Sequence, residues 1–431
     1  MDQPMKKSLY GKFTLLLFLA FGCSHSSLPE GDPLVAIQIQ DRNGFTETIS
    51  TPERLENYLL VNFLTSQPFK KILRVYKKNG KNHSIITTYH PNGSIFQYLE
   101  AKEMRASGNY REWFPNGQLK IDSHVIGGTA DITQGAQKDW LFNGTSRVWD
   151  EDGHLIAQIP YENGVLSGTS IYHYPSGIVQ CQINYVKNME EGDRIEFYPN
   201  GNVKSKNWFQ KGVRTGASLG FFDNNLPAWI EEYRDGLLLK GTYYSPQGEA
   251  IAEVKDGRGQ QARYEGNAIS FLVEIRQGVP EGVVKKFNQQ GDLMAIYSIK
   301  NNKKHGEETS YFLPEAGEHE WRPKLSIQWD QGSIHGIVKT WYRNGQLQSQ
   351  REYCRNVKSG PTCAWYKNGS LMFVEEYEDG ILSKGAYYKK NHNEPVSTIM
   401  NGNGTSYLYN EDGAFMKKVT YAKGKPTDPE E

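Results

Sequence analysis

Residues 336–360 read GIVKTWYRNGQLQSQREYCRNVKSG, and residues 361–385 read PTCAWYKNGSLMFVEEYEDGILSKG. Laid over one another, the halves agree where structure is decided. Trp341-Tyr342 stands against Trp365-Tyr366, Asn344-Gly345 against Asn368-Gly369, Leu347 against Leu371 and Tyr353 against Tyr377. Gly360 answers Gly385 with one extra residue, and the two Asn-Gly pairs lie 24 residues apart. Asn-Gly between alternating apolar residues is a strong signal for a two-residue hairpin loop, in which both positions need φ > 0. The stretch reads as consecutive β-hairpins.

The same punctuation extends in both directions. Turn glycines fall at Gly93, Gly117, Gly153, Gly177, Gly201, Gly248, Gly291, Gly345, Gly369 and Gly413, and four of the nine intervals are 24. The interval of 47 is close to two units, with Asn224-Asn225 where the missing turn belongs. The interval of 36 holds an insertion around residues 131–143, and the interval of 54 holds an excursion over residues 313–323. Two aromatic or apolar residues precede most turns, as in Trp113-Phe114 and Phe197-Tyr198, and an aliphatic follows, as at Leu119 and Val203. Further on stands another aromatic before a second glycine: Tyr161…Gly164, Trp208…Gly212, Tyr233…Gly236, Tyr377…Gly380. Each unit therefore reads strand, tight turn, strand, looser glycine turn. Alternation along a strand sends one aromatic of each pair to either face.

Composition agrees. The 431 residues include 43 Gly and 26 Tyr, and aromatics make up 12%, a mix suited to short strands and tight turns. Lys+Arg and Asp+Glu both number 49, and the balance stays near zero without residues 1–22. Near-neutrality gives no electrostatic case for a nucleic-acid partner.

Before the array, Val35–Gln40 and Phe45–Ile49 flank a turn at Asn43-Gly44, a first hairpin. A helix is expected next. Ser50 and Glu53 form a capping box, Pro52 lies in the first turn, and Leu55, Tyr58, Leu59 and Phe63 share one face, ending before Pro68. Strands then flank Asn79-Gly80. This module is expected to cover the first strand edge, since bare edges invite aggregation.

The unit, roughly G-x4-(aromatic)2-x-N-G-x-L-x5-Y-x2-G, is similar to the MORN-variant repeat of bacterial surface and antitoxin-type proteins, over about residues 80–425. The resemblance implies an all-β fold: an elongated, twisted array of antiparallel hairpins at about 24 residues per unit, here with a small α+β N-terminal cap. It also brings an antitoxin role attached to that family, but no position here matches a neutralising residue. The N-terminus has the layout of an export signal. Lys6, Lys7 and Lys12 precede Phe13–Phe21, an apolar run too short to span a bilayer, which takes roughly 20 residues. Ala20-Phe21-Gly22-Cys23 then resembles a bacterial lipoprotein signal, implying acylation of Cys23, although Ala20 and Phe21 depart from the usual residues. The alternative is an ordinary cleaved signal with a chance cysteine. Ser24 resembles the pattern of lipoproteins sent to the outer membrane. The expected division is a signal peptide over 1–22, a lipid tether over 23–33, the cap over 34–80, the array over 81–425 and a disordered tail over 426–431.

Catalytic chemistry is sparse. Gly216-Ala217-Ser218-Leu219-Gly220 fits G-x-S-x-G, but no helix follows as a nucleophile elbow requires. Gly257–Ala262 fits G-x-G-x-x-A without a βαβ setting. The ten His are scattered, so neither a metal nor a cofactor is expected. Cys354 and Cys363 flank a glycine turn and are a candidate disulfide; the alternative is two free thiols. The outward members of Trp341 or Tyr342, Trp365 or Tyr366, and Tyr387 or Tyr388 are candidate binding aromatics, against a purely structural role. The expectation is a non-enzymatic, lipid-anchored cell-envelope protein whose array is a scaffold for a protein partner, with the membrane met through the anchor. The alternatives are an antitoxin-like neutraliser of a polypeptide and a glycan- or peptidoglycan-binding surface protein.

Overall fold

The computed structural model describes residues 34–67, 70–77, 83–315 and 321–427. Cys23, the export signal and the Asn79-Gly80 turn lie outside the described residues. Among the described residues the chain forms one sheet of 35 strands, several only two residues long, in which most neighbours in sequence pair antiparallel. The first strand, Leu34–Asp41, is an exception, sitting between Thr46–Ile49 and Lys70–Lys77. At the other end, among the described residues, Phe415–Ala422 pairs outward only with Lys425–Pro426, so the sheet is open. Pro426 lies in that short strand and Thr427 N–H donates to the Thr420 carbonyl at 2.9 Å, where a disordered tail was expected.

Two turn types alternate, but they are exchanged relative to the sequence reading. Around Asn344-Gly345, Tyr342 N–H donates to the Gln346 carbonyl and Gly345 N–H to the Tyr342 carbonyl, both at 2.9 Å. Only Gly345 has positive φ, at 87°, so the loop has three residues and ends in a glycine bulge. The two-residue loops are the other set. Cys354 pairs with Val357 across Arg355-Asn356, whose φ values are 48° and 70°. Asp379-Gly380, Asp235-Gly236 and Lys211-Gly212 repeat that geometry. Asn225 takes the place of a bulge glycine at φ 65°, which completes the unit missing its glycine.

A glycine in the strand after most of the two-residue loops also has a reason. Gly360 has φ 86°, and a Cβ there would lie 2.7 Å from Glu352 Oε2. At the equivalent Gly336, the Gln328 side chain crosses the gap and accepts from Ile337 N–H at 3.0 Å. The crossing side chain uses the space left by the missing Cβ.

The predicted helix shrinks to one α turn, Pro52–Leu55, followed by a 3-10 turn, Glu56–Tyr58. Thr51 is its N-cap and makes no side-chain cap bond, so the capping box does not form. Tightening to 3-10 shifts the periodicity: Leu55 and Phe63 pack with Ile37, Ile49 and Tyr89, while Leu59 turns outward. A second short helix, Gln134–Gln137, lies in the insertion and brings Trp140 against Tyr110.

The inward face is less apolar than the aromatic pattern suggests. Its buried positions include the small polar groups Ser170, Ser205, Ser218, Ser349, Thr362 and Ser406, with Trp229 and Glu231 reaching Ser218. Where the two-residue loops come 21 residues apart, at Gly236, Gly257 and Gly278, the sheet curls. Leu238 N–H reaches the Gly278 carbonyl at 3.0 Å, and Gly278 N–H the Gly257 carbonyl at 2.9 Å. The same curl recurs at Gly402 and Gly424, with Gly424 N–H donating to the Gly402 carbonyl at 2.8 Å.

Candidate interaction surface

The aromatic pairs before the bulge turns split between the faces. Tyr342, Tyr366 and Tyr387 are buried, whereas Trp341, Trp365 and Tyr388 are half-buried on the opposite side. Of the six candidate binding aromatics, only those last three offer surface. Each sits opposite the residue that follows its turn, Trp341 on Leu347, Trp365 on Leu371 and Tyr388 on Pro395. The buried partners hold the row together. Tyr342 Oη donates to the Trp365 carbonyl at 2.9 Å and Tyr366 Oη to the Tyr388 carbonyl at 2.7 Å. Tyr174 and Tyr198 do the same to Phe197 and Phe221. The turn asparagines add a second tie: Asn344 Nδ2 donates to the Lys367 carbonyl at 3.0 Å, and Asn92 Nδ2 to the Pro115 carbonyl at 2.9 Å. The residues between the paired aromatics and the glycine thus staple one unit to the next.

Sequence reasoning missed the most exposed tryptophan of this face. Trp208 was placed in the series Tyr161, Tyr233, Tyr377, but the inward member there is Phe209, paired with Arg214 and Gly192. Trp208 points the other way and is 47% exposed. Around it stand Asp193, paired across the strands, and Lys206, whose Nζ lies 3.1 Å from Asp193 Oδ2. Leu219 and the exposed Ile230 pair beside Lys206. The signal was countable: Trp208 stands four residues before Gly212, where the other units place their ring three residues before the turn's last residue.

On the inward face a buried carboxylate organises the first curl. Glu231 accepts from Tyr243 Oη at 2.7 Å, Gln261 Nε2 at 2.9 Å and Tyr233 Oη at 3.2 Å, with Arg214 at 3.4 Å. Burial, followed by the Glu231 charge, pushes the Tyr233 phenol up to about 12 and Tyr243 further still. Both remain neutral donors to the carboxylate. A cavity of about 410 Å³ opens beside this group, walled by Trp229, Tyr264, Leu238 and Ile275. Glu375, 144 residues on, repeats the arrangement with Tyr387 at 2.8 Å and Tyr377 at 3.1 Å. Ser218 lies mid-strand in the first network, its Oγ donating to Asn207 Oδ1 at 2.8 Å. That is strand geometry, not an elbow.

The disulfide expectation fails on register. Cys363 pairs with Gln350, four positions along the strand from Cys354, which pairs with Val357. At about 3.4 Å per residue along the strand and about 4.8 Å across it, the two are roughly 14 Å apart, beyond the ~7 Å limit for a bridge. Both are free, and Cys354 is exposed. Asp150, Asp152 and His154 come together in one exposed turn. Asp150 accepts there from the backbone N–H groups of Asp152 and His154, which holds its carboxyl below the usual range. Among the described residues no helix is long and apolar enough to cross a membrane.

Four segments match the MORN repeat variant: residues 107–125, 142–163, 190–207 and 334–355. The last spans the strand Ser333–Trp341, the Asn344-Gly345 turn and the strand Leu347–Cys354, so the matched unit is the hairpin closed by the bulge turn. No curated protein matches the chain. Among solved structures, a mutant Tc holotoxin pore from Photorhabdus luminescens is 10% identical with a TM-score of 0.14. That alignment covers 91% of this chain but only 24% of the pore chain.

Proposed function

We propose that this chain is a non-enzymatic scaffold of the cell envelope, anchored through an acylated Cys23, whose outer sheet face holds a protein partner. The supporting observation is the division of labour between the faces. The inward polar groups satisfy one another around Glu231 and Glu375, while Trp208 and the row Trp341, Trp365 and Tyr388 stand on the outer side. Rings fixed by stapled backbone lose little conformational entropy on binding, which makes Trp and Tyr effective anchors for a partner. Charges of both signs, Lys206 and Asp193 beside Trp208 and the pair Glu232–Lys240 further across the same face, suit a protein better than a uniformly charged ligand. MORN-type repeats support the scaffold reading through their extended surface.

The test is a photo-cross-linking residue at Trp208 or Trp365 in the full-length protein in its own cells. A discrete protein adduct from the probe at position 365 that disappears with Trp208→Ala supports the reading; no discrete protein adduct from either position refutes it. A glycan reading has one observation in its favour, the regular row of half-buried rings. Retention on cell-wall glycan lost in Trp365→Ala would select it instead. Fatty-acid labelling tests the anchor: no incorporation into wild type, or unchanged incorporation in Cys23→Ala, removes that part of the proposal.

A further inference from the structure

The loop that follows the short helix has a composition its fold does not require. Residues 57–67, NYLLVNFLTSQ, contain no Asp, Glu, Lys, Arg or His, in a chain that is 23% charged. Within it Leu60 is 99% exposed and Leu59 57%, and Leu64 is also exposed. A single exposed leucine is ordinary, but three on one uncharged loop form a local apolar surface. The loop is also held firmly. Phe63 is buried beside Leu55 and Ile37, and its carbonyl accepts from Tyr89 Oη at 2.8 Å. Val61 N–H donates to the Tyr58 carbonyl, Thr65 N–H to the Asn62 carbonyl, and Gln67 N–H to the Gly93 carbonyl at 2.8 Å. The backbone is thus fixed with its leucines pointing out.

The chain enters the fold beside this loop. Leu34 packs on the same cluster as Tyr58 and Val61. Cys23 precedes Leu34 by 11 residues, a reach of at most about 40 Å. We propose that Leu59, Leu60 and Leu64 form a membrane-contact wedge that seats the N-terminal cap on the phospholipid surface and fixes how the array projects from it. This rests on the anchored reading, since the anchor brings the loop to the bilayer. The surface recognised is the uncharged interfacial layer: Asn57, Tyr58 and Asn62 flank the leucines, and no cation is present within the loop to select anionic lipid.

The experiment uses the full-length protein with a benzophenone amino acid at position 60, bound to vesicles of radiolabelled phosphatidylethanolamine, with and without phosphatidylglycerol. Leu60 is so exposed that the substitution leaves packing intact. A lipid adduct is expected, at least fivefold above that from the same probe at Trp208 and unchanged by phosphatidylglycerol or salt. With the probe moved to position 64, Leu59→Ser with Leu60→Ser lowers the yield at least fivefold while the protein still floats with vesicles. Flotation without a lipid adduct at 60 overturns the wedge and leaves the anchor standing. A protein adduct at 60 in place of lipid also overturns it, in favour of a polypeptide partner. Failure to float at all rejects the anchored reading and the wedge together.

Discussion

Replacing Tyr89 by Phe removes one oxygen from the joint between the cap and the array. The ring is 5% exposed, and its hydroxyl donates to the Phe63 carbonyl at 2.8 Å with Thr87 Oγ1 at 3.0 Å. Phe keeps the packing and leaves a buried carbonyl without this donor, so the loss at neutral pH should be about 1.5 kcal/mol. The same burial pushes the Tyr89 phenol up to about 12. An unfolded tyrosine ionises near 10, so the sign of the pH effect follows. Above pH 10 the unfolded chain releases this proton while the folded chain keeps it, and stability falls as pH rises toward 12. One pH unit into that window is worth about 1.4 kcal/mol. The wild-type advantage over Tyr89→Phe should therefore be largely erased near pH 11, because Phe has nothing to ionise and the other tyrosines titrate alike in both proteins. Urea denaturation of both at pH 7.5 and pH 11 gives the difference directly. An equal deficit at both pH values, or none at pH 7.5, would refute the assignment of this hydroxyl as a buried donor.

Other expectations follow from the turns and the register. Asn344→Ala should cost about 1–2 kcal/mol by removing both the tie to the Lys367 carbonyl and the acceptor for Gln346 N–H, and Asn344→Asp should lose less because it lacks only the donor; thermal melts check both. Gly117→Ala, at φ 89° with open space, should lose about 1–2 kcal/mol in urea. Gly278→Ala should lose several, since its Cβ would lie 2.8 Å from Leu237 Cβ. Thiol titration without reductant should count Cys354 and Cys363 as free, with Cys363 slower because burial raises its pKa. Deleting residues 336–359 should leave a cooperative fold, as Gly360 then meets Gln328 in place of Gly336. Deleting residues 336–358 should be worse by about 3 kcal/mol or more, because Ser359 would stand in that gap and Trp365 would turn inward.

The period and the alternation of faces were legible because both are local. Trp341 and Tyr342 differ by one position, so opposite faces follow from the pleat alone. Loop length was not legible, because Asn-Gly serves a two-residue loop or a three-residue loop with a bulge. The choice depends on which residues pair across it, Trp341 with Leu347 but Cys354 with Val357. The same long-range register decided the cysteines. Leu59 was misplaced because a 3-10 turn has a shorter repeat than the α-helix assumed for it. The Glu231 network draws on Arg214, Tyr243 and Gln261 from separate strands, and no spacing rule within one unit connects them.

The side-chain staples of the bulge turns point forward along the chain. Tyr174, Tyr198, Tyr342 and Tyr366, with Asn92, Asn116, Asn200 and Asn344, each donate to a carbonyl later in sequence, in the next turn or just before it. A unit leaving the ribosome therefore carries donors that stay unfilled until its successor has been made. Synthesis and closure proceed in the same direction, each new hairpin locking the one before it. The two ends of such an array are chemically unlike. Cutting units from the C-terminal side strands these hydroxyl and amide donors, whereas cutting from the N-terminal side strands backbone N–H groups of the two-residue loops, such as Gly380 N–H on the Lys358 carbonyl and Asn356 N–H on the Ile334 carbonyl.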